Sequence, residues 1–252
     1  MKITSVECLV LDDEYPYVIL HTDEGFTGFG ECFRRAPYVS KVAVETLFAP
    51  LLLGKSPFDS EEIWDAMLKA GSVAGPTGAL LTAAAGVDLA LWDLKGKLLG
   101  RPVYELIGGP SRDAIDLYAT GDDLEWMKEL GFTRFKISNP FFYEEGSEGL
   151  AKLEEHVARA REIVGDDAEL MINPISSFNV DLALRVAERL RPYKLRWFEE
   201  PLPAWDLQGH IELNRVMTWT ALATGEHHYG RKAFQQLISN RAVDIVQPDI
   251  EW

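Results

Sequence analysis

The spacing of hydrophobic and polar positions changes character twice along the chain. Ile3 to Val10 alternates loosely with period two, and Tyr17-Val18-Ile19-Leu20-His21-Thr22 is rich in β-branched and aromatic residues before the turn Asp23-Glu24-Gly25. These runs predict an antiparallel pair. A helical pattern follows over 39–48. Thr77 to Leu99 is then apolar nearly all round, as a helix packed on several sides would be. Ala83, Gly86 and Ala90 lie three and four apart on it, a stripe that lets another backbone come close. Asp88 and Asp93 on this helix read as structurally satisfied acids. Residues 1–112 are expected to form an α+β domain.

From residue 113 a different unit repeats: a short β run, a loop, an amphipathic helix. The β runs begin at Phe132, Glu169, Leu195, Ala221 and Val243, with helical patterns over 149–164, 180–191, 207–216 and 231–239 between them. Alternating strand and helix predicts a parallel sheet, and the spacing fits the pitch of a (β/α)8 barrel, which takes about 250 residues in full. The expected fold class is α/β, an N-terminal α+β capping domain followed over 113–252 by an incomplete TIM-type (β/α) barrel of about five βα units.

Composition narrows the function classes. Forty acidic residues against 25 basic give a net charge of −15 among 252 residues, which repels a phosphate backbone, so no nucleic-acid partner is expected. No apolar run nears the roughly 20 residues of a membrane span, and the N-terminus lacks a secretory pattern, so no membrane association and a cytoplasmic location are expected. Cys8 and Cys32 are too few for a disulfide framework and read as reduced core thiols. A phosphate-cradling glycine loop and a Gly-x-Ser-x-Gly elbow are both absent from the sequence.

In a parallel barrel the C-terminal strand ends meet at one mouth, and polar residues there are candidates for chemistry. Here they are Lys136 and Ser138, Asn173, Glu199 and Glu200, Glu226 with His227 and His228, then Asp249. Asn173, Glu199 and Glu226 are separated by 26 and 27 residues, one βα unit each. Oxygen ligands converging without cysteine suit a hard divalent ion such as Mg2+. Taken singly, Glu199 or Glu226 reads equally well as an acid at a helix N-terminus; their recurrence on consecutive strands favours the metal.

The sequence resembles the enolase superfamily of the mandelate racemase and muconate lactonizing type, and within it the L-rhamnonate dehydratase-like acid-sugar dehydratases. The resemblance spans essentially the whole chain. Its carriers are Thr22-Asp23-Glu24-Gly25 with Gly28 and Gly30-Glu31, the run Gly86 to Lys97 followed by Gly100-Arg101-Pro102, and the strand-end sets Trp197-Phe198-Glu199-Glu200-Pro201, Thr224-Gly225-Glu226-His227 and Gln247-Pro248-Asp249. It implies Mg2+-assisted removal of the proton α to a carboxylate, an enediolate intermediate and loss of a β-hydroxyl from a small sugar acid, in a homo-oligomeric enzyme. It also implies roles. Asn173, Glu199 and Glu226 are metal ligands and Glu200 lies beside them, near substrate. His227 is a proton donor, Lys136 neutralises the substrate carboxylate, and Asp249 orients a catalytic histidine. Arg34, in the loop after Glu31, suits a sugar-acid carboxylate, and solvated loop arginine is the equal alternative. His21, His156 and His210 read as surface or packing residues, and Trp126, Trp197, Trp205 and Trp219 as core or interface.

Three departures stand against that pattern. Asn173 replaces an aspartate ligand, and Ser138 stands where the family has a second lysine or a proline. The chain also stops soon after its fifth β run, which reads as a C-terminally truncated family member. A catalytically inactive remnant is therefore the rival expectation.

Overall fold

The computed structural model describes residues 1–75, 77–141 and 143–250; Glu251 and Trp252, the last positions of the second expected domain, lie outside them. Two compact units form, Met1–Asp113 with the last described residues, and Ala114–Pro248.

The first unit begins with an antiparallel sheet in the order β1 (Ile3–Leu11), β2 (Tyr15–Thr22), β3 (Thr27–Glu31). Its pairing sets Cys8 beside Val18 and Val18 beside Gly30, and every second residue of β2 is buried, so one face is core. Helix α1 (Pro37–Val42) runs through a π-helical turn (Ala43–Phe48) into α2 (Ala49–Leu52), so the helical segment starts earlier and ends later than the periodicity implies. Helices α3 (Ser60–Gly71), α4 (Ala79–Leu99) and α5 (Val103–Leu106) complete the unit.

The small-residue stripe of α4 meets β3. A Cβ on Gly30 would lie 2.1 Å from the Gly86 carbonyl oxygen, and one on Gly28 2.3 Å from that of Ala90. Strand and helix touch backbone to backbone, which requires glycine at both positions. Asp93 adds a bond, its Oδ2 accepting from the Phe29 amide at 2.8 Å. Strand β3 is missing from the pattern reading for the same reason: Thr-Gly-Phe-Gly-Glu has glycine where an apolar alternation would show.

The second unit is a six-stranded parallel sheet in sequence order: β4 (Ala119–Thr120), β5 (Arg134–Ser138), β6 (Glu169–Asn173), β7 (Trp197–Glu199), β8 (Ala221–Thr224) and β9 (Ile245–Val246). Helices α6 (Leu124–Glu129), α7 (Gly146–Val164), α8 (Val180–Leu190), α9 (Leu207–Val216) and α10 (Gly230–Ser239) alternate with the strands. This is the expected (β/α) architecture with one strand and one helix more, β4 and α6, whose two and six residues are too few to show a period. Phe135, Ile137, Leu170, Ile172, Phe198 and Leu222 pack in one core with helix residues Leu153, Val157, Val186 and Leu213. Their neighbours along each strand therefore face the opposite side of the sheet.

Candidate functional site

Register decides which side chains meet on that opposite face. Lys136 pairs with Thr120 and Met171, Ser138 with Asn173, and Glu199 with Ala223, which pairs with Ile245. Ile172 pairs with Phe198, so Asn173 and Glu199 are adjacent, and Gln247 follows two residues after Ile245. Lys136, Asn173, Glu199 and Gln247 thus share one face at the C-terminal strand ends.

They are bonded to one another. Glu199 is fully buried, and its Oε1 accepts from Lys136 Nζ at 2.5 Å and from Asn173 Nδ2 at 2.9 Å. Its Oε2 accepts from Trp197 Nε1 at 2.8 Å and from Gln247 Nε2 at 2.9 Å. Four donors surround one carboxylate. Burial works against the Lys136 ammonium, but the charge of Glu199 outweighs it and holds the lysine above its ordinary range. The Lys136 Nζ also lies 5.4 Å from the centre of the Tyr118 ring, which meets Trp197 edge-on at 5.2 Å.

Asn173 has only one workable amide orientation. Its Oδ1 accepts from the Ile175 amide at 2.7 Å, so the opposite flip would set N–H against N–H and a carbonyl oxygen against a carboxylate. It therefore presents N–H to Glu199.

Glu200 breaks the strand alternation. Its φ of 40° turns the chain out of β7, so two successive acids serve two neighbourhoods. The fully buried Glu200 carboxylate faces His227, whose Nδ1 lies 2.9 Å and 3.1 Å from its two oxygens. Burial alone would raise Glu200, but the His227 hydrogen bond and charge hold it below the usual carboxylate range. Glu226 follows Gly225, whose φ of 151° and close approach to the Gln247 backbone exclude a side chain. Burial, then the charge and hydrogen bond of Glu200 and the charge of Glu199, push the Glu226 carboxyl up to about 7. Ligand atoms of Glu200, Glu226 and His227 lie within 4.8 Å of one another.

Arg34, half exposed in the first unit, pairs with Glu14 at 3.4 Å. Asp249 lies three residues past β9. Ser138 donates from Oγ to Asp122 Oδ2 at 2.6 Å and from its amide to Oδ1 at 3.1 Å. His210 is fully buried, its Nδ1 2.8 Å from the Asp206 carbonyl, and burial lowers its pKa, so it is a packing residue. Trp197 and Gln247 are site residues that the strand-end reading leaves out. The signal for both was period two: Trp197 stands two before Glu199, and Gln247 two after Ile245.

The donor set fits a hard divalent cation. Burial, and after it the neighbouring Glu200 and Glu199 carboxylates, push Glu226 toward its neutral form, which a cation would reverse, and the Gln247 Oε1 is buried without a hydrogen-bond partner among the described residues.

Residues 6–108 match the family described as mandelate racemase / muconate lactonizing enzyme, N-terminal domain, and residues 120–252 match enolase C-terminal domain-like. The chain belongs to the mandelate racemase / muconate lactonizing enzyme family of the enolase superfamily. Among its relatives, L-rhamnonate dehydratase of Saccharopolyspora erythraea is 39% identical over 236 residues, 93% of this chain and 60% of that protein. The chain spans 58–60% of the length of the curated relatives it matches first. Two solved members of the superfamily share its fold over the full chain. Rhamnonate dehydratase from Gibberella zeae complexed with Mg has TM-score 0.92 at 28% identity, with 72% of its chain covered. The 3,6-anhydro-D-galactonate cycloisomerase from Zobellia galactanivorans has TM-score 0.88 at 30% identity, with 73% covered. Among the described residues no helix is long and apolar enough to cross a membrane.

Proposed function

We propose that this superfamily member carries the site of a Mg2+-dependent acid-sugar dehydratase, a hydro-lyase acting on a small sugar acid such as L-rhamnonate. The observation that carries the reading is the assembly of Lys136, Asn173, Glu199 and Gln247 around one carboxylate at the strand ends, with Glu226 beside it. The relatives named as rhamnonate dehydratases supply the substrate class.

Glu199 and Glu226, with the carbonyl oxygen of Gln247, would hold the cation, which would supply positive charge to the substrate carboxylate; Asn173, expected as a third ligand, turns N–H toward Glu199 because its Oδ1 accepts from the Ile175 amide. Lys136, held on Glu199 in the free protein, provides an ammonium for the same anion. His227, oriented through Nδ1 by Glu200, donates a proton to the departing β-hydroxyl. By the family resemblance Asp249 would orient a proton-abstracting histidine, and that base is not among His21, His156, His210, His227 and His228 of this sequence. Arg34 is proposed as a contact to the substrate carboxylate.

The test is incubation of the purified protein with Mg2+ and a panel of sugar acids, following loss of one water by mass spectrometry. Formation of a 2-keto-3-deoxy acid, abolished in Glu226→Gln, supports the reading. No turnover despite measurable Mg2+ binding favours the rival, a non-catalytic remnant. That rival draws its support from Asn173, which here offers a donor in place of an anionic ligand.

A further inference from the structure

Within the divalent-cation reading above, on which this inference rests, Glu199 is already neutralised. Lys136 Nζ sits on Oε1 at 2.5 Å, Asn173 Nδ2 on the same oxygen at 2.9 Å, and both side chains are more than nine-tenths buried. A cation approaching Oε1 meets an ammonium and an amide N–H where it would need lone pairs. The Ile175 amide fixes the Asn173 orientation, so the N–H cannot turn away without losing a bond at 2.7 Å. An aspartate at this position would keep the Ile175 bond and turn its second oxygen, with no proton, toward Glu199.

We propose that Lys136, as a built-in counter-charge, and Asn173, as a neutral N–H donor, compete with the divalent cation for Glu199 and set how tightly this chain binds it. Cation binding then requires Lys136 to leave Oε1, which releases its ammonium for the carboxylate of an incoming sugar acid. Lys136 acts here as a positioning residue for the cation.

A purely structural role for Lys136 predicts that removing it leaves Mg2+ binding unchanged or weaker. Competition predicts the opposite sign. The experiment is calorimetric titration with MgCl2 of the wild type, Lys136→Met, Lys136→Arg and Asn173→Asp, each with a thermal melt to show it is folded. Lys136→Met and Asn173→Asp are expected to bind Mg2+ at least about tenfold more tightly than the wild type, because unit charge changes beside a divalent ion are large at short range. Lys136→Arg, which keeps the charge, is expected to stay weak. If Lys136→Met fails to fold, Asn173→Asp and Lys136→Arg decide the matter. Tightening confined to neither Lys136→Met nor Asn173→Asp, with the wild type still binding Mg2+, overturns the competition and leaves the cation reading standing. Absence of binding in all four proteins overturns both.

Discussion

Glu226 holds its proton more tightly in the folded chain than an unfolded glutamate does, with its carboxyl raised from 4.5 to about 7 by burial and by Glu200 and Glu199. Between those two values the native state binds a proton that the unfolded state has lost. The contribution to stability is therefore fully present below about 4.5 and is lost as pH rises toward 7. Thermal melts from about pH 4.5 to 8 should show the wild type losing more stability across this window than Glu226→Gln, whose amide does not titrate; parallel profiles would refute the assignment. Trp197 makes a narrower prediction. Trp197→Phe keeps the ring against Tyr118 but removes one donor from Glu199, and should cost about 1.5–3 kcal/mol in denaturant unfolding, the range for a hydrogen bond to a charged group. Glu199 and Glu226 were legible as the last residues of expected β runs, and Lys136 as a polar residue one position before the end of another. The sequence could not show that Asn173 acts as a donor, since that depends on the Ile175 amide, a contact made only once the chain turns after β6.

Among the elements, those with a repeating pattern were readable and those built by close approach were not. Helices α7 to α10 follow their apolar spacing, and β6 and β8 follow their apolar runs, because burial on the helix-facing side imposes both, while the six-residue α6 was not expected. Strands β3 and β4 escaped. The first is specified by absence of side chains at Gly28 and Gly30, and the second is two residues long. Gly30→Ala tests the physical reason for β3. The added methyl would meet backbone atoms of α4 at 2.1 Å and 2.5 Å, so the strand must lift, with an expected cost of about 3 kcal/mol. A melting temperature within a degree or so of the wild type would mean that β3 does not rest on α4.

Across the whole molecule, hydrogen bonding in the parallel sheet is uneven. The inner strands β5 to β8 each have a partner on both sides, whereas β4 and β9 are two-residue strands at the ends of the strand order. Hydrogen exchange should accordingly protect the amides of Ile137, Ile172, Phe198 and Leu222 most strongly and those in β4 and β9 least. Equal protection across all six strands would contradict this ordering. The contact between β3 and α4 has a different kind of consequence, for how the sequence can drift. Damage from Gly86→Ala falls first on the Cys32 sulfur, 2.3 Å from the new methyl, so Cys32→Ala should restore part of the lost stability. Gly30→Ala strikes the Gly86 carbonyl and the Ala90 amide nitrogen, atoms that every amino acid carries. No side-chain change at residues 86 or 90 can remove them, so a lineage that loses this glycine can recover only by reversion or by changes that move β3 off α4.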